Sequence, residues 1–482
     1  MSLRDRISES LRPAVYLGTN TLTLTGTVLT TSSALTLIAF WIFELLFAGA
    51  VNPYIGVVLF LILPGIFVLG LLLIPSGALL RRHELRVAGE LPDIYPKIDL
   101  SQAALRHAFA WTGGLTMVNI FIFGIASYRG VEYMDSVRFC GETCHTVMQP
   151  EFTAYSNSPH QRVACVGCHI GPGAGWFVKS KLSGVRQVFA VTFHTYDTPI
   201  PSPVQQLRPA RETCEQCHWP QMFSGDKFIV HTKYSDDEKN TPLTTVLLLK
   251  VGGRTWQGAV GIHGRHLDVK SRIQYIATDR QRQVIPQVTY LDDAGKQAVY
   301  NSPETNPTPA QLAAGEHRTM DCMDCHNRPT HTFQLPDRAV DQAMSEGRIS
   351  PELPFIKKKA VEVLRADYPD RDTATQRIGT QLNDFYRSSY PEVFRGKHAL
   401  LDVAIGQVQA IYLRNIFPAM KVTWGTYPNN LGHQDFPGCF RCHDGSHTSA
   451  DGRTIANDCD TCHTVLAMEE QNPKVLSELG MK

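Results

Sequence analysis

A mainly α fold, with three membrane helices at the N-terminus and a small β insertion in the soluble part, is predicted by three observations. Three apolar runs of membrane length lie within the first 128 residues. Six cysteine pairs, each closed at once by a histidine, are spread over the rest of the chain. Between the third and fourth pairs the apolar residues take up the alternation of β-strands. The pairs are Cys140/Cys144, Cys165/Cys168, Cys214/Cys217, Cys322/Cys325, Cys439/Cys442 and Cys459/Cys462, and they use all 12 cysteines. The histidines that follow them are His145, His169, His218, His326, His443 and His463. A C-x-x-C-H run is the attachment signal for haem c, with two thioethers to the porphyrin and an adjacent imidazole for the iron. The predicted class is therefore a haem-packed multihaem cytochrome, in which porphyrins replace much of the side-chain core.

Competing readings of the cysteines are weak. Histidine is 18 of 482 residues, so six chance followers have a probability of about 10⁻⁹. A disulfide framework gives no reason for the histidines, and zinc sites do not require a trailing one. A thioredoxin-type C-x-x-C would occur once, in a βαβ setting. At 482 residues the chain exceeds one core and implies two or three domains. Net charge +1 with 19% charged residues indicates neither nucleic-acid binding nor an acidic tail.

In chain order, a short segment with Arg4, Arg6 and Arg12 precedes spans expected at Gly26–Ala50, Tyr54–Ile74 and His107–Ser127. The first is too long for a signal peptide and lacks a small-residue cleavage site. Each can cross a hydrocarbon core of about 30 Å. Asn52–Pro53 is expected to turn between the first two, and Pro64–Gly65 to kink the second. Arg81, Arg82, Arg86, Lys97 and Arg106 mark the loop before the third span as cytoplasmic, which puts everything beyond Tyr128 outside. That is the compartment where bacteria attach haem c. Glu44, inside the first span, is a candidate proton acceptor, or else an interfacial carboxylate that reaches water.

The predicted domains are a membrane region (1–128), a four-haem region (129–345) and a helical spacer with a two-haem end (346–482). Residues 129–228 are rich in Gly and Pro with little periodicity. The β insertion covers about 229–300, with strands at Thr244–Val251, Ile273–Thr278, Val284–Tyr290 and Gln297–Tyr300 and a turn at Asp292–Gly295. Helical spacing follows at Pro354–Tyr368, Thr373–Tyr386 and Lys397–Ile416. The last two motifs lie close together and suggest a haem pair.

Each iron needs a second axial ligand for electron transfer without substrate binding. Ten histidines outside the membrane region are not in motifs. His160, His331, His433 and His447 lie nearest to motifs, and His231, His263 and His266 in the β insertion can reach back to iron. His433 and His447 are expected to serve the last two haems. Met148, four residues after Cys144, is a thioether candidate for the first.

The stretch CGETCHTVMQPEFTAYSNSPHQRVACVGCH resembles the NapC/NirT family of membrane-anchored, quinol-oxidising multihaem cytochromes. The resemblance covers roughly Ile120 to Phe333. It comprises a membrane helix running into the first motif, a methionine after it, a histidine before the second, and a histidine five residues after His326. It implies Met148 as axial ligand of the first haem, in place of or opposite His145, and His160 and His331 as distal ligands. A lysine after the second haem contacts quinol in that family, which implies Lys179 or Lys181, with Lys181 the closer by spacing. The short family members have one membrane helix and four haems. This chain has three spans, a β insertion, two further haems and an extra residue in the first motif, and no acidic residue near Val188. The longer form is similar to inner-membrane cytochromes of metal-respiring bacteria.

The expected function is quinol oxidation, with menaquinol or ubiquinol bound at the outer leaflet beside the first of six haems. Electrons would pass to periplasmic cytochromes or other respiratory subunits, the haems doing the redox chemistry. Alternatives are a relay subunit without its own quinol site, and a terminal reductase with one open iron position.

Overall fold

A computed structural model of the chain describes residues 9, 12–46, 62–95, 103–143, 145–171, 173–204, 207–219, 225–255, 258–267, 272–292 and 294–481. It forms two compact units, Met1–Thr143 and Cys144–Lys482.

In the first unit three helices pack together: α1 (Thr21–Leu46), α2 (Leu63–Val87) and α3 (Ala103–Met134). Small residues let α1 and α2 approach closely in antiparallel fashion. A Cβ on Gly70 would lie 2.8 Å from the Gly26 carbonyl oxygen, so the backbones touch where side chains are missing. The hydroxyls of Thr27, Thr30 and Thr31 donate to carbonyls one turn back, each at 2.8 Å, which satisfies them without water. Leu37, Phe67 and Ile122 close the core among the three helices.

Among the described residues, two helices are long and apolar enough to cross a membrane, Thr21–Ala39 and Leu63–Val87. α2 runs on past the expected end at Ile74, so Arg81, Arg82 and Arg86 lie on the helix and not in a loop. Pro64 sits in its first turn, where no N–H is needed, and the interior proline is Pro75. The Asn52–Pro53 turn lies outside the described residues, as does the side chain of Glu44 on α1. α3, at 32 residues, is longer than the span expected within it.

The second unit opens with α4 (His145–Ser156) and α5 (Ala174–Thr192). Among the described residues ten strands follow: β1 (Lys227–Tyr234), β2 (Pro242–Leu249), β3 (Gly253–Thr255), β4 (Gly258–Val260), β5 (Arg272–Ala277), β6 (Gln287–Leu291), β7 (Gln297–Asn301), β8 (Glu316–Thr319), β9 (Thr448–Ser449) and β10 (His463–Glu470). The expected β6–β7 hairpin turn is present, with the Asp292 N–H bonded to Lys296 O at 3.0 Å. The β region is nevertheless not a local insertion. Its sheets run β1-β2-β10 and β8-β5-β6-β7-β9, so strands from the last haem segment complete both.

The side-chain core lies in α6 (Pro336–Ser345), α7 (Ile356–Arg365), α8 (Arg371–Ser389) and α9 (His398–Asn415), close to the three helical segments expected there. Asp370 caps α8 by accepting the Thr373 N–H at 2.7 Å. Ile356, Leu364, Ile378, Leu382 and Ile411 are fully buried, each contributing about 1.5–3 kcal/mol. A buried Lys357–Asp341 pair at 2.6 Å lies beside this core. Asn240, in the β1–β2 turn with φ +50°, bonds to Pro351 O, Leu353 O and the Lys357 N–H and ties the sheet to the helices.

Candidate functional site

The regular motifs fold as about one helical turn, which puts residues i, i+3 and i+4 on one side. Cys165–His169, Cys322–Cys325 and Cys459–Cys462 are single α-turns, and Gly438–Arg441 is a 3₁₀ turn. The motif histidine closes the turn: the N–H of His218 bonds to Cys214 O at 2.8 Å, and that of His326 to Cys322 O at 2.8 Å. At the fourth motif Asp321 and Asp324 form a capping box. The first motif, with its extra residue, begins in a wider π-turn, Phe139–Thr143. Cys144 and the side chain of His145 lie outside the described residues.

The third motif departs from this pattern. Its helix, Ala210–Cys214, ends at the first cysteine, and Cys217 lies in the turn that follows, its N–H on Cys214 O at 3.1 Å. Cys217 is exposed, as are Cys168, Cys439 and Cys459. Thioether formation needs a thiol that a porphyrin vinyl can reach, so exposure suits the attachment role of Cys217. Among the described residues no cysteine forms a disulfide.

The five regular motifs' histidines each face a histidine from elsewhere in the chain. Ring centroids are 6.2 Å apart for His169–His331, 5.9 Å for His218–His160 and 6.4 Å for His326–His263. They are 5.7 Å apart for His443–His266 and 6.2 Å for His463–His433. Metal–imidazole bonds of about 2 Å, plus the width of the rings, put two ligands trans on one iron about 6 Å apart between centroids. The residues therefore fit the axial positions of a porphyrin-held iron. Among the described residues, no three His, Cys, Asp or Glu side chains gather as a cage for a bare metal ion. The imidazoles come in twos.

Hydrogen bonds orient four of these rings through Nδ1. His160 faces Pro329 O at 3.3 Å, His331 Glu151 O at 3.0 Å, His266 Ile262 O at 2.7 Å and His443 Ala456 O at 2.5 Å. A proton held on Nδ1 leaves the Nε2 lone pair for a metal. Burial, as the leading cause, lowers the pKa of His169, His263, His266, His326 and His331. The neutral form is the one that ligates. Glu151 also presents its carboxylate to His331 at 3.2 Å, and buried Arg328 holds both Glu151 oxygens at 3.0 Å.

Successive motifs touch. The turn Cys165–His169 packs on Ala210–Cys214, which packs on Cys322–Cys325. Arg441, between the cysteines of the fifth motif, donates to Asp324 O in the fourth at 2.6 Å. Asp324 is itself buried, accepting from Tyr275 at 2.5 Å and Arg318 at 2.9 Å.

Two expected histidines are not in these pairs. His447 turns its Nδ1 to Asp444 at 3.0 Å and its Nε2 to Ile285 O at 2.8 Å, so both nitrogens are engaged with protein. Its place opposite the fifth motif is taken by His266. His231 lies mid-strand in β1, opposite Thr245. Met148 is half-buried on α4. Lys179 and Lys181 lie on α5, with Nζ over Trp176 at 4.6 Å and over Phe177 at 4.8 Å. That helix exposes Phe177, Val178, Leu182, Val185 and Phe189. Sequence reasoning passed over Glu151, Arg328, Asp324 and Arg441; only the position of the last two between motif cysteines could have singled them out.

The chain matches the NapC/NirT cytochrome c family, N-terminal region, over residues 103–202. It is 42% identical to cytochrome c-type protein ImcH of Geobacter sulfurreducens over 456 residues, 94% of this chain and 89% of the relative. A 104-residue stretch, 21% of this chain and 58% of the relative, is 26% identical to cytochrome c-type protein NrfH of Wolinella succinogenes. No solved structure matches the chain. Similarity over so much of both chains, added to the family match, makes the protein a member of the NapC/NirT family of c-type cytochromes, a membrane-anchored electron-transport protein that carries covalently bound haem c.

Proposed function

We propose that the protein is a hexahaem cytochrome of the bacterial inner membrane that oxidises quinol at the outer face and delivers electrons to periplasmic acceptors. The observation that carries this reading is the set of five facing imidazole pairs, each joining a motif histidine to one from another part of the chain. Haem c bound there supplies one-electron chemistry at iron. The chain holds it by thioethers from each cysteine pair, the exposed Cys217 included, and by the ligand pairs His169/His331, His218/His160, His326/His263, His443/His266 and His463/His433. His145 or Met148 serves the haem of Cys140 and Cys144.

Three membrane spans and a periplasmic body complete the proposal, with regions 1–128, 129–345 and 346–482. Lys181, with Lys179 as its neighbour, is the proposed hydrogen-bonding partner of the quinol oxygen, and Glu44 a proton acceptor. The aromatic and aliphatic side chains that α5 leaves exposed suit an apolar quinol and its lipid surroundings. Paired ligands at five sites speak against a terminal reductase, which needs an open iron position.

The test is to mix the purified protein with a reduced quinol analogue and follow the haem absorption bands. Prompt reduction supports the reading. Reduction only after a partner subunit is added would make the protein a relay.

A further inference from the structure

We infer that the short helix Gly261–Leu267 is a ligand clamp that joins the four-haem region to the C-terminal haem pair, by supplying distal ligands to two successive haems. His263 serves the fourth motif and His266 the fifth. This rests on the ligand reading above. The two histidines are three residues apart, so they are neighbours on one helical turn. Their rings nevertheless face different motifs, His326 at 6.4 Å and His443 at 5.7 Å, which are separated by more than a hundred residues of sequence.

The helix is fixed from several sides. The Ile262 N–H bonds to Lys250 O and the His263 N–H to Val251 O, both at 2.9 Å. The same Lys250 reaches the sixth motif, its N–H on Cys462 O at 2.9 Å and its Nζ on Asp460 O at 2.5 Å. The helix also packs on Cys459–Cys462 and on β5. At its start the chain turns through Gly261 at φ +66°, where a Cβ would meet Gly252 Cα and Lys250 O at 2.6 Å. Only glycine fits that approach. Three motifs thus meet around seven residues, and Arg441 bridges the fourth and fifth. The C-terminal pair is built into the four-haem region, not attached to it by a linker.

The test uses full-length protein with six haems verified by intact mass, and reads the iron spin state in the oxidised form. His263→Ala and His266→Ala should each turn about one sixth of the iron high-spin, and the double variant about one third. Gly261→Val, which alters neither ligand, should loosen both sites together. The inference is overturned if either alanine variant stays fully low-spin, or if Gly261→Val leaves both sites unchanged. Should Gly261→Val not fold, the two alanine variants still decide the ligand assignment, and a clamp without both ligands is no clamp. None of these readouts involves quinol, so failure of the quinol reading would leave them intact.

Discussion

Replacing His433 or His447 by alanine separates two histidines that flank the same C-terminal motifs. His433 faces His463 at 6.2 Å and stacks on Phe440 at 4.2 Å. On the proposed ligand assignment, His433→Ala takes one axial nitrogen from one of six haems, so about one sixth of the iron should turn high-spin. His447 is 1% exposed and joins Asp444 to Ile285 O. His447→Ala strands the buried Ile285 carbonyl at a cost of about 1–3 kcal/mol, and no iron should change its spin. The assay is electron paramagnetic resonance on oxidised protein, with thermal melting alongside.

The two variants also differ in acid. Burial by itself raises the Asp444 carboxyl, but hydrogen bonds from His447 and Ser446 outweigh it and bring its pKa to about 2. A carboxylate depressed in this way stabilises the fold above its unfolded value of about 4, and that contribution is lost as pH falls from there toward 2. His447→Ala should flatten this acid-side loss, whereas His433→Ala should keep it. A high-spin signal in His447→Ala with an unchanged spectrum in His433→Ala would refute the assignment.

Intact mass should show six haems in the parent and five in Cys140→Ser; five in the parent, with the first motif unmodified, would remove the haem nearest the membrane segment. Lys181→Ala should slow reduction by a quinol analogue while reduction by dithionite proceeds as in the parent. Equal quinol-driven rates in Lys181→Ala, Lys179→Ala and the parent would move the quinol site elsewhere. Lys357→Met should leave Asp341, which also accepts the Tyr234 N–H at 3.0 Å, as a buried charge without its partner. That costs about 3–5 kcal/mol; the expected outcome is a lower melting temperature with unaltered haem spectra, and an unchanged melt would contradict the buried pair.

The cysteine–histidine motifs were legible because they are local. Spacing of i, i+3 and i+4 is a property of one helical turn, and so each motif could be read without knowing its surroundings. The helices α7, α8 and α9 and the β6–β7 hairpin were legible, since periodicity and turn residues act over a few positions. Sequence nearness misled wherever the partner was remote. His160 precedes the second motif but faces the third motif's His218, and His331 follows the fourth but faces the second motif's His169. His447, closest to the last two motifs, bonds to Asp444 and Ile285 O, while His266 crosses from the β region to His443. Strands β9 and β10 carry too few residues, or too little alternation, to announce themselves, and they exist because β7 and β2 offer open edges. An axial ligand and a strand partner are both decided by which groups arrive at one point in space. That depends on how a core of helices and sheets closes loops of a hundred residues or more, which no local pattern encodes.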